Sequence, residues 1–329
     1  MCGQYGVIAP PGEALDSTDF AILRMCMVAN EKRGDDSTGV AGVSENDIQT
    51  AKDIVPGSAF TLHQDYRNIE SAQVRMALGH TRMATTGAVT ARNAHPFTYS
   101  GDSTVVGTHN GQVSNWKSYL KDFPNMQVDS EVIFGLLSRQ LQVQEIWSQD
   151  PWIDGSFACA WVEWETMTPW LMRRGNPLFT LQDRNRNRLY YSSLSGCLLA
   201  GAAAFMPERM WSIAELQDNS AYRVDDPTGE WERLALEPSR PPTPLYYSTA
   251  PTTTVRQICN LCGEKTWMPQ PLCWVCQRAI EGEVSGQAAP LTTGALAMTA
   301  DECWWCGQNY QLSFFEGEYL CQKCKEAIT

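Results

Sequence analysis

A cysteine follows the initiator methionine in Met1-Cys2-Gly3-Gln4-Tyr5-Gly6. Removal of Met1, expected here, would put a thiol nucleophile and a free α-amine on one residue, so that the amine can take the thiol's proton. An α-amine titrates near ~7.7–8.0, which leaves much of it able to act as a base at neutral pH. Four further segments combine polar, charged and glycine residues in ways that core packing does not need. They are Arg33-Gly34-Asp35-Asp36-Ser37-Thr38-Gly39, Gly79-His80-Thr81-Arg82-Met83-Ala84-Thr85-Thr86-Gly87, Asn93-Ala94-His95-Pro96 and Thr108-His109-Asn110-Gly111. A fifth, Asp129-Ser130-Glu131, opens a helical pattern. Each alone has a plain reading. Asn110-Gly111 is a common turn dipeptide, Asp129 a helix N-cap, Arg82 a surface ion-pair partner, and His95 before a proline a loop residue.

Such side chains need elements beneath them. Residues 3–8 read as a short strand. Residues 17–33, apolar at 20, 22, 23, 26, 27 and 29 and stopped by Gly34, predict a helix. Residues 74–78 and 104–107 predict strands that run into polar turns. Residues 129–142 predict a second helix, with an acidic first turn ahead of Val132, Ile133, Leu136, Leu137 and Leu141. Strands are then expected at 156–163, 170–174, 189–193, 221–224 and 231–236. Helices early and strands late, with a strand at the start, predict an α+β body over residues 2–237 in which helices cover two layered sheets. Residues 238–256 are rich in Pro and Thr and read as an extended linker. Residues 281–300, rich in Gly, Ala and Thr, read as a second.

Taken together and in this order, the motifs of residues 2–237 resemble the class II glutamine amidotransferase domain. This is the cysteine-type N-terminal-nucleophile (Ntn) domain of glucosamine-6-phosphate synthase, amidophosphoribosyltransferase, glutamate synthase and asparagine synthetase. The resemblance implies a four-layer αββα Ntn-hydrolase sandwich and L-glutamine as substrate. It implies that Cys2 attacks the side-chain amide carbon while its own α-amine relays the proton. Asn110, through its side-chain NH2, and Gly111, through its backbone N–H, would hold the oxyanion. Arg82 would clamp the substrate α-carboxylate with two charge-assisted bonds. Asp129 would take the α-ammonium, and Thr85 and His95 would line the same pocket. Met83 and Thr86 depart from the Trp and His of the glucosamine-6-phosphate synthase branch, which serve its lid and its coupling to an acceptor domain. The amide-cleaving set is intact; the acceptor reaction is left open. After residue 237 no sugar isomerase, phosphoribosyltransferase or ATP-pyrophosphatase motif is read, and no Gly-rich phosphate loop. Ammonia is therefore expected to pass to a separate synthase.

Eight of the twelve cysteines form four Cys-x-x-Cys pairs. Cys259, Cys262, Cys273 and Cys276 make one set over residues 257–280, and Cys303, Cys306, Cys321 and Cys324 a second over 301–329. Four thiolates in two knuckles is the spacing of a tetrahedral structural zinc site (a zinc ribbon), with no open coordination position for catalysis. Each module is below the size that folds without a staple, so two zinc ions would supply the folding energy. Cys26, Cys159 and Cys197 lie in apolar stretches and read as buried free thiols.

The formal charge of -12 disfavours nonspecific binding to a phosphate backbone. Residues 238–329 hold eight acidic and six basic side chains, a net of -2, which leaves -10 for residues 1–237. Trp267, Trp274, Trp304, Trp305 and Phe314 could stack on bases. With so little positive charge around them, a protein-docking face is expected rather than a nucleic-acid one. No run reaches the ~20 apolar residues of a membrane span and no secretory signal is read, so a cytoplasmic location without membrane contact is expected. Two other functions fit parts of the pattern: a stand-alone Ntn amidohydrolase on another amide, or a zinc-ribbon adaptor whose Ntn domain is inactive. Arg82 and Asp129 weigh against the first, and an intact Cys2, Asn110 and Gly111 against the second.

Elemental analysis of the purified chain is expected to give two zinc ions, and a chelator to unfold residues 257–329 while leaving 2–237 folded. A metal-free chain with a folded tail would contradict the zinc reading.

Overall fold

The computed structural model describes residues 2–139, 143, 146, 153–206 and 211–236, together with the backbone of four short strands beyond them. The chain divides into two units, Met1–Pro241 and Pro242–Thr329. The first unit is a two-sheet α+β sandwich. One sheet has seven strands and the other six, all paired antiparallel.

The centre of the first sheet is β1 (Gly3–Ile8), between β10 (Arg188–Ser192) and β4 (Met76–Arg82). Beyond β4 come β2 (Ser37–Val43) and β3 (Ile48–Asp53); on the other side lie β9 (Phe179–Asp183) and β11 (Trp211–Glu215). The strand order is thus β11-β9-β10-β1-β4-β2-β3. The second sheet comprises β5 (Phe97–Ser100), β6 (Thr104–Val113), β7 (Gly155–Glu163), β8 (Thr168–Arg174), β12 (Ser220–Arg223) and β13 (Glu232–Ala235). Its order is β13-β12-β8-β7-β6-β5.

Period-two alternation divides the apolar side chains among three cores. Along β1, Tyr5 and Val7 join Phe20, Leu23 and Met27 of helix α1 (Ser17–Asn30) and Leu198 of helix α5 (Ser195–Phe205) on the outer face of the first sheet. Ile8 instead meets Leu78, Val106, Ala160 and Leu171 between the sheets. On the far face of the second sheet, Val132, Ile133 and Phe134 of helix α4 (Ser130–Leu137) pack with Trp161 and Trp170. The layers are thus helix, sheet, sheet, helix. Two shorter helices, α2 (Gly57–Phe60) and α3 (Gln64–Ser71), add Phe60, Tyr66 and Ile69 to the outer core.

Several sequence expectations shift at their ends. Helix α1 is set by a reciprocal capping box, in which Asp16 accepts from the Asp19 N–H and Asp19 from the Asp16 N–H. It ends at Asn30 rather than at residue 33, and residues Glu31–Arg33 form a tighter 3-10 turn. The Thr81 hydroxyl takes the Asn30 carbonyl at 2.8 Å, which draws that group away from the α-helical ladder. β6 continues to Val113, six residues past the expected stop. Asn110-Gly111 is therefore no turn: the pair lies within the strand, opposite Ala158 and Phe157 of β7. Its polar side chains are bonded across the core, which removes the reason to leave the sheet. Helix α4 begins at Ser130, and residues 140–142 of the expected helix lie outside the described residues.

Strands β2, β3, β5, β9 and β11 and helices α2, α3 and α5 have no counterpart in the sequence expectations. β2, Ser-Thr-Gly-Val-Ala-Gly-Val, is buried on both faces and so shows no polar alternation. Gly39 in it matters for the site, because a Cβ there would stand 2.1 Å from the His95 carbonyl oxygen.

In the second unit, β14 (Gln257–Ile258) pairs with β15 (Lys265–Thr266), and β16 (Leu312–Phe315) with β17 (Glu318–Cys321). The cysteine side chains of both expected zinc sets, and the two linkers, lie outside the described residues. Among the described residues no helix is long and apolar enough to cross a membrane.

Gly39→Ala is expected to destabilise the first unit by about 1–3 kcal/mol, the usual cost of overpacking. A urea midpoint equal to that of the parent chain would contradict the close approach of the His95 loop.

Candidate active site

Cys2 enters β1 at the middle of the first sheet, where the ladders to β4 and β10 fix the backbone that follows it. Its carbonyl accepts from Arg33 Nε at 2.8 Å. Its Sγ lies against the backbone of Met83, 3.3 Å from the N–H that donates to it and 3.4 Å from the carbonyl. Burial pushes the thiol above its ordinary value; the Met83 N–H and the Arg82 guanidinium act in the opposite direction.

Arg82 ends β4 and is 4% exposed. Its fork is turned onto the loop that follows it, with Nη2 donating to the Thr86 carbonyl at 2.5 Å and Nη1 to the Ala88 carbonyl at 3.1 Å. Asp36 ties the same loop down: its N–H donates to the Arg82 carbonyl at 3.0 Å, and its carboxylate accepts the Ala84 N–H at 2.7 Å. The segment around Asp36 thus acts on the site by holding this loop.

Asp129 occupies the N-cap position of α4 but makes no capping bond. Its Oδ2 accepts the Val113 N–H at 2.8 Å, which couples the start of the helix to the end of β6. Glu131, also buried, accepts the N–H groups of Gln127 and Val128 and the Tyr99 hydroxyl. It shapes the loop leading into Asp129.

Gly111 sits in β6 with φ +152°, a conformation that favours glycine. A Cβ there would also stand 2.3 Å from the Ser156 carbonyl oxygen. Asn110, 1% exposed, donates from Nδ2 to Ser193 Oγ at 3.1 Å, while its own carbonyl accepts from Asn176 Nδ2 at 2.8 Å.

Three of the four histidines are buried beside these groups. The rings of His80 and His95 stack at 4.0 Å, His95 Nδ1 accepts the His109 N–H at 3.1 Å, and His109 Nδ1 meets Ser130 Oγ at 2.7 Å. Burial pushes His80 down to about 3 and His95 well below the ordinary histidine value, with the neighbouring histidines adding to both shifts. Burial lowers His109 as well, so all three are held neutral. Lys52 supports the His95 loop from β3, its Nζ donating to the carbonyls of Ala94 at 2.9 Å and Pro96 at 3.2 Å. Burial brings that ammonium down to about 8.

Six of the seven residues singled out by the sequence line one cleft: Cys2, Arg82, Thr85, His95, Gly111 and Asp129. Met83, Thr86, His109, Val128 and Ser130 complete it. Asn110 does not line it and reaches the first sheet through Ser193. The cleft encloses about 20 Å³, room for about one water molecule. A thiol, a guanidinium and a carboxylate converge there. That set can bind the two charges of an α-amino acid and present a nucleophile to its side chain. Lys52, Asp36 and Ser193 act through contacts made on folding, and residue type alone did not single out Lys52 or Ser193.

Residues 24–187 match the family described as glutamine amidotransferases class-II. The chain carries a class II glutamine amidotransferase domain. The matched stretch begins beyond Cys2, so β1 geometry is what places Cys2 in this domain's cleft. The chain is 33% identical over 148 residues to glutamine–fructose-6-phosphate aminotransferase (isomerizing) of Helicobacter pylori, which covers 43% of this chain and 23% of that protein. It is 31% identical over 180 residues to a probable enzyme of the same name from Acanthamoeba polyphaga mimivirus, covering 50% of this chain and 29% of that protein. The match thus spans less than a third of either relative. Among solved structures, the amidotransferase domain shares its fold with an allosteric regulatory enzyme of purine biosynthesis. The TM-score is 0.57 at 15% identity, covering 72% of this chain and 50% of that one. Glutamine phosphoribosylpyrophosphate amidotransferase from B. subtilis is similar at TM-score 0.54 and 15% identity, covering 70% and 49%.

The buried histidines give the amidotransferase domain an acid-sensitive stability. In the unfolded chain a histidine takes a proton near ~6.5; folded, His80 and His95 do so only at much lower pH. The stability they carry is therefore complete above pH ~6.5 and falls as the pH drops below it, by up to about 1.4 kcal/mol per pH unit for each histidine kept neutral. Urea midpoints measured at pH 7, 6 and 5 are expected to decline steadily; a constant midpoint over that range would contradict the buried stack.

Proposed function

We propose that the domain hydrolyses the side-chain amide of L-glutamine and releases ammonia for a separate acceptor synthase. The observation that carries this reading is the convergence of Cys2, Arg82 and Asp129 on one cleft within a class II glutamine amidotransferase domain. Arg82 takes the substrate α-carboxylate. To do so its fork gives up the Thr86 and Ala88 carbonyls for a charged partner, which makes the stronger bidentate bond. Asp129 takes the α-ammonium with its remaining acceptor capacity. The side-chain amide is then directed toward Cys2.

With Met1 removed, the Cys2 amine accepts the thiol proton and the thiolate adds to the amide carbon. The oxyanion is held by the Gly111 N–H and the Asn110 carboxamide. Collapse of the adduct breaks the C–N bond, and the leaving nitrogen takes the proton from the Cys2 amine. Water then cleaves the γ-glutamyl thioester to glutamate. His95, His109 and Thr85 shape the walls; the two histidines are neutral and so do not repel the substrate α-ammonium from Asp129. The chain repeats less than a third of its aminotransferase relatives. The use of the ammonia is assigned to another catalytic unit, with the two four-cysteine zinc modules, read from their Cys-x-x-Cys spacing, as its docking face.

Purified chain is expected to convert glutamine to glutamate with Met1 absent by intact mass. Cys2→Ala should abolish turnover. Asp129→Asn should raise KM for glutamine about 10–10²-fold, the scale of one charged hydrogen bond. Undiminished turnover by Cys2→Ala would contradict the mechanism.

A further inference from the structure

The nucleophile and the oxyanion donors stand on different sheets. Cys2 leads into β1 of the seven-stranded sheet, whereas Asn110 and Gly111 belong to β6 of the six-stranded one. Stacked sheets share no backbone ladder, so side chains that cross the gap must set their spacing. Among the described residues, two such bonds join β6 to the segments around the nucleophile's strand. Thr108 Oγ1 donates to Gln4 Oε1 at 3.2 Å, and Asn110 Nδ2 donates to Ser193 Oγ at 3.1 Å.

Ser193 is 1% exposed and follows directly on β10. Its N–H donates to the Gln4 carbonyl at 2.8 Å, and its Oγ accepts the Gln4 N–H at 3.1 Å. The oxygen that receives the Asn110 amide is therefore anchored on both sides to the residue two positions after the nucleophile. A carboxamide nitrogen carries two hydrogens. One is committed to Ser193, which fixes the plane of the group. The other is the one that the glutaminase reading assigns to charge developing on a substrate, although Asn110 is buried behind the cleft in this arrangement. The final torsion of an Asn side chain is otherwise broad, and a donor that must first be turned into place forfeits the preorganisation on which such a site depends.

We infer that Ser193 is a positioning residue for amide hydrolysis, holding the Asn110 carboxamide toward the nucleophile's strand as an oxyanion donor. The inference rests on the glutaminase reading and deepens it. It assigns to a serine outside every recognised motif, and outside the family-matched stretch 24–187, a part in the chemical step.

The test uses the full chain. Ser193→Ala is expected to lower kcat for glutamine about 10²–10³-fold, as loss of one oxyanion donor does, with KM within about twofold of the parent. Alkylation of Cys2 by iodoacetamide, followed on the N-terminal peptide by mass spectrometry, should keep its rate, because that displacement forms no oxyanion. Ser193→Thr, which retains the hydroxyl, should recover most of kcat. An active parent whose Ser193→Ala variant keeps its kcat would overturn the inference. So would a variant in which alkylation falls in parallel with kcat, since that pattern marks damage to the strand of Cys2 itself. A parent chain without glutaminase activity would instead overturn the glutaminase reading on which the inference stands.

Discussion

Two sheets stacked face to face have no hydrogen-bond ladder between them, and this domain spreads its candidate chemistry across that gap. The rest of the site depends on how buried polar side chains bridge it. Gln4, Thr108, Asn110 and Ser193 are all almost fully buried, and each meets a partner on the other side. Unpaired, such groups would cost free energy; paired, they hold one register between the sheets. The apolar core between the sheets, from Ile8 and Leu78 to Val106 and Leu171, supplies cohesion without specifying that register so closely.

Electrostatics at the cleft follow from the same burial. A half-buried thiol beside Asp129 would resist ionising, and burial does push it up. The backbone N–H of Met83 and the charge of Arg82 counter that effect locally. The stacked histidines stay neutral for want of solvent, so Arg82 is the charge that faces Cys2 from β4. The Arg82 fork is closed on the Thr86 and Ala88 carbonyls and the cleft holds little free volume; in the proposed function these carbonyls yield to the substrate carboxylate.

Much of the site was legible because charged and polar residues stand where packing alone would place apolar ones. Arg82 at a strand end, Asp129 ahead of an apolar helix and the Asn110-Gly111 pair all stand out from their surroundings. Six of the seven named residues share one cleft for that reason. β1 was readable end to end, being short, mostly apolar and followed closely by proline. β6 was not: His109, Asn110 and Gly111 look like a turn until partners from the other sheet make a polar strand stable. β2 escaped notice because a strand buried on both faces loses its alternation, and its glycines answer to neighbours distant in sequence, such as the His95 loop over Gly39. Ser193 and Lys52 owe their parts wholly to contacts made on folding. A serine at the end of a strand carries no mark of the carboxamide it will receive. Of the two four-cysteine modules, the sequence spacing is strong and the described residues reach only the paired strands beside them.

In the proposed reaction Cys2 forms a covalent bond to the side-chain carbonyl carbon of glutamine. Rapid acid quenching during turnover, followed by mass analysis of the N-terminal peptide, tests it directly. An acid-stable, hydroxylamine-labile glutamyl adduct on Cys2 is expected, appearing with glutamine and absent from Cys2→Ala. Steady glutamate production under conditions that trap thioesters, with the Cys2 peptide unmodified throughout, would contradict it.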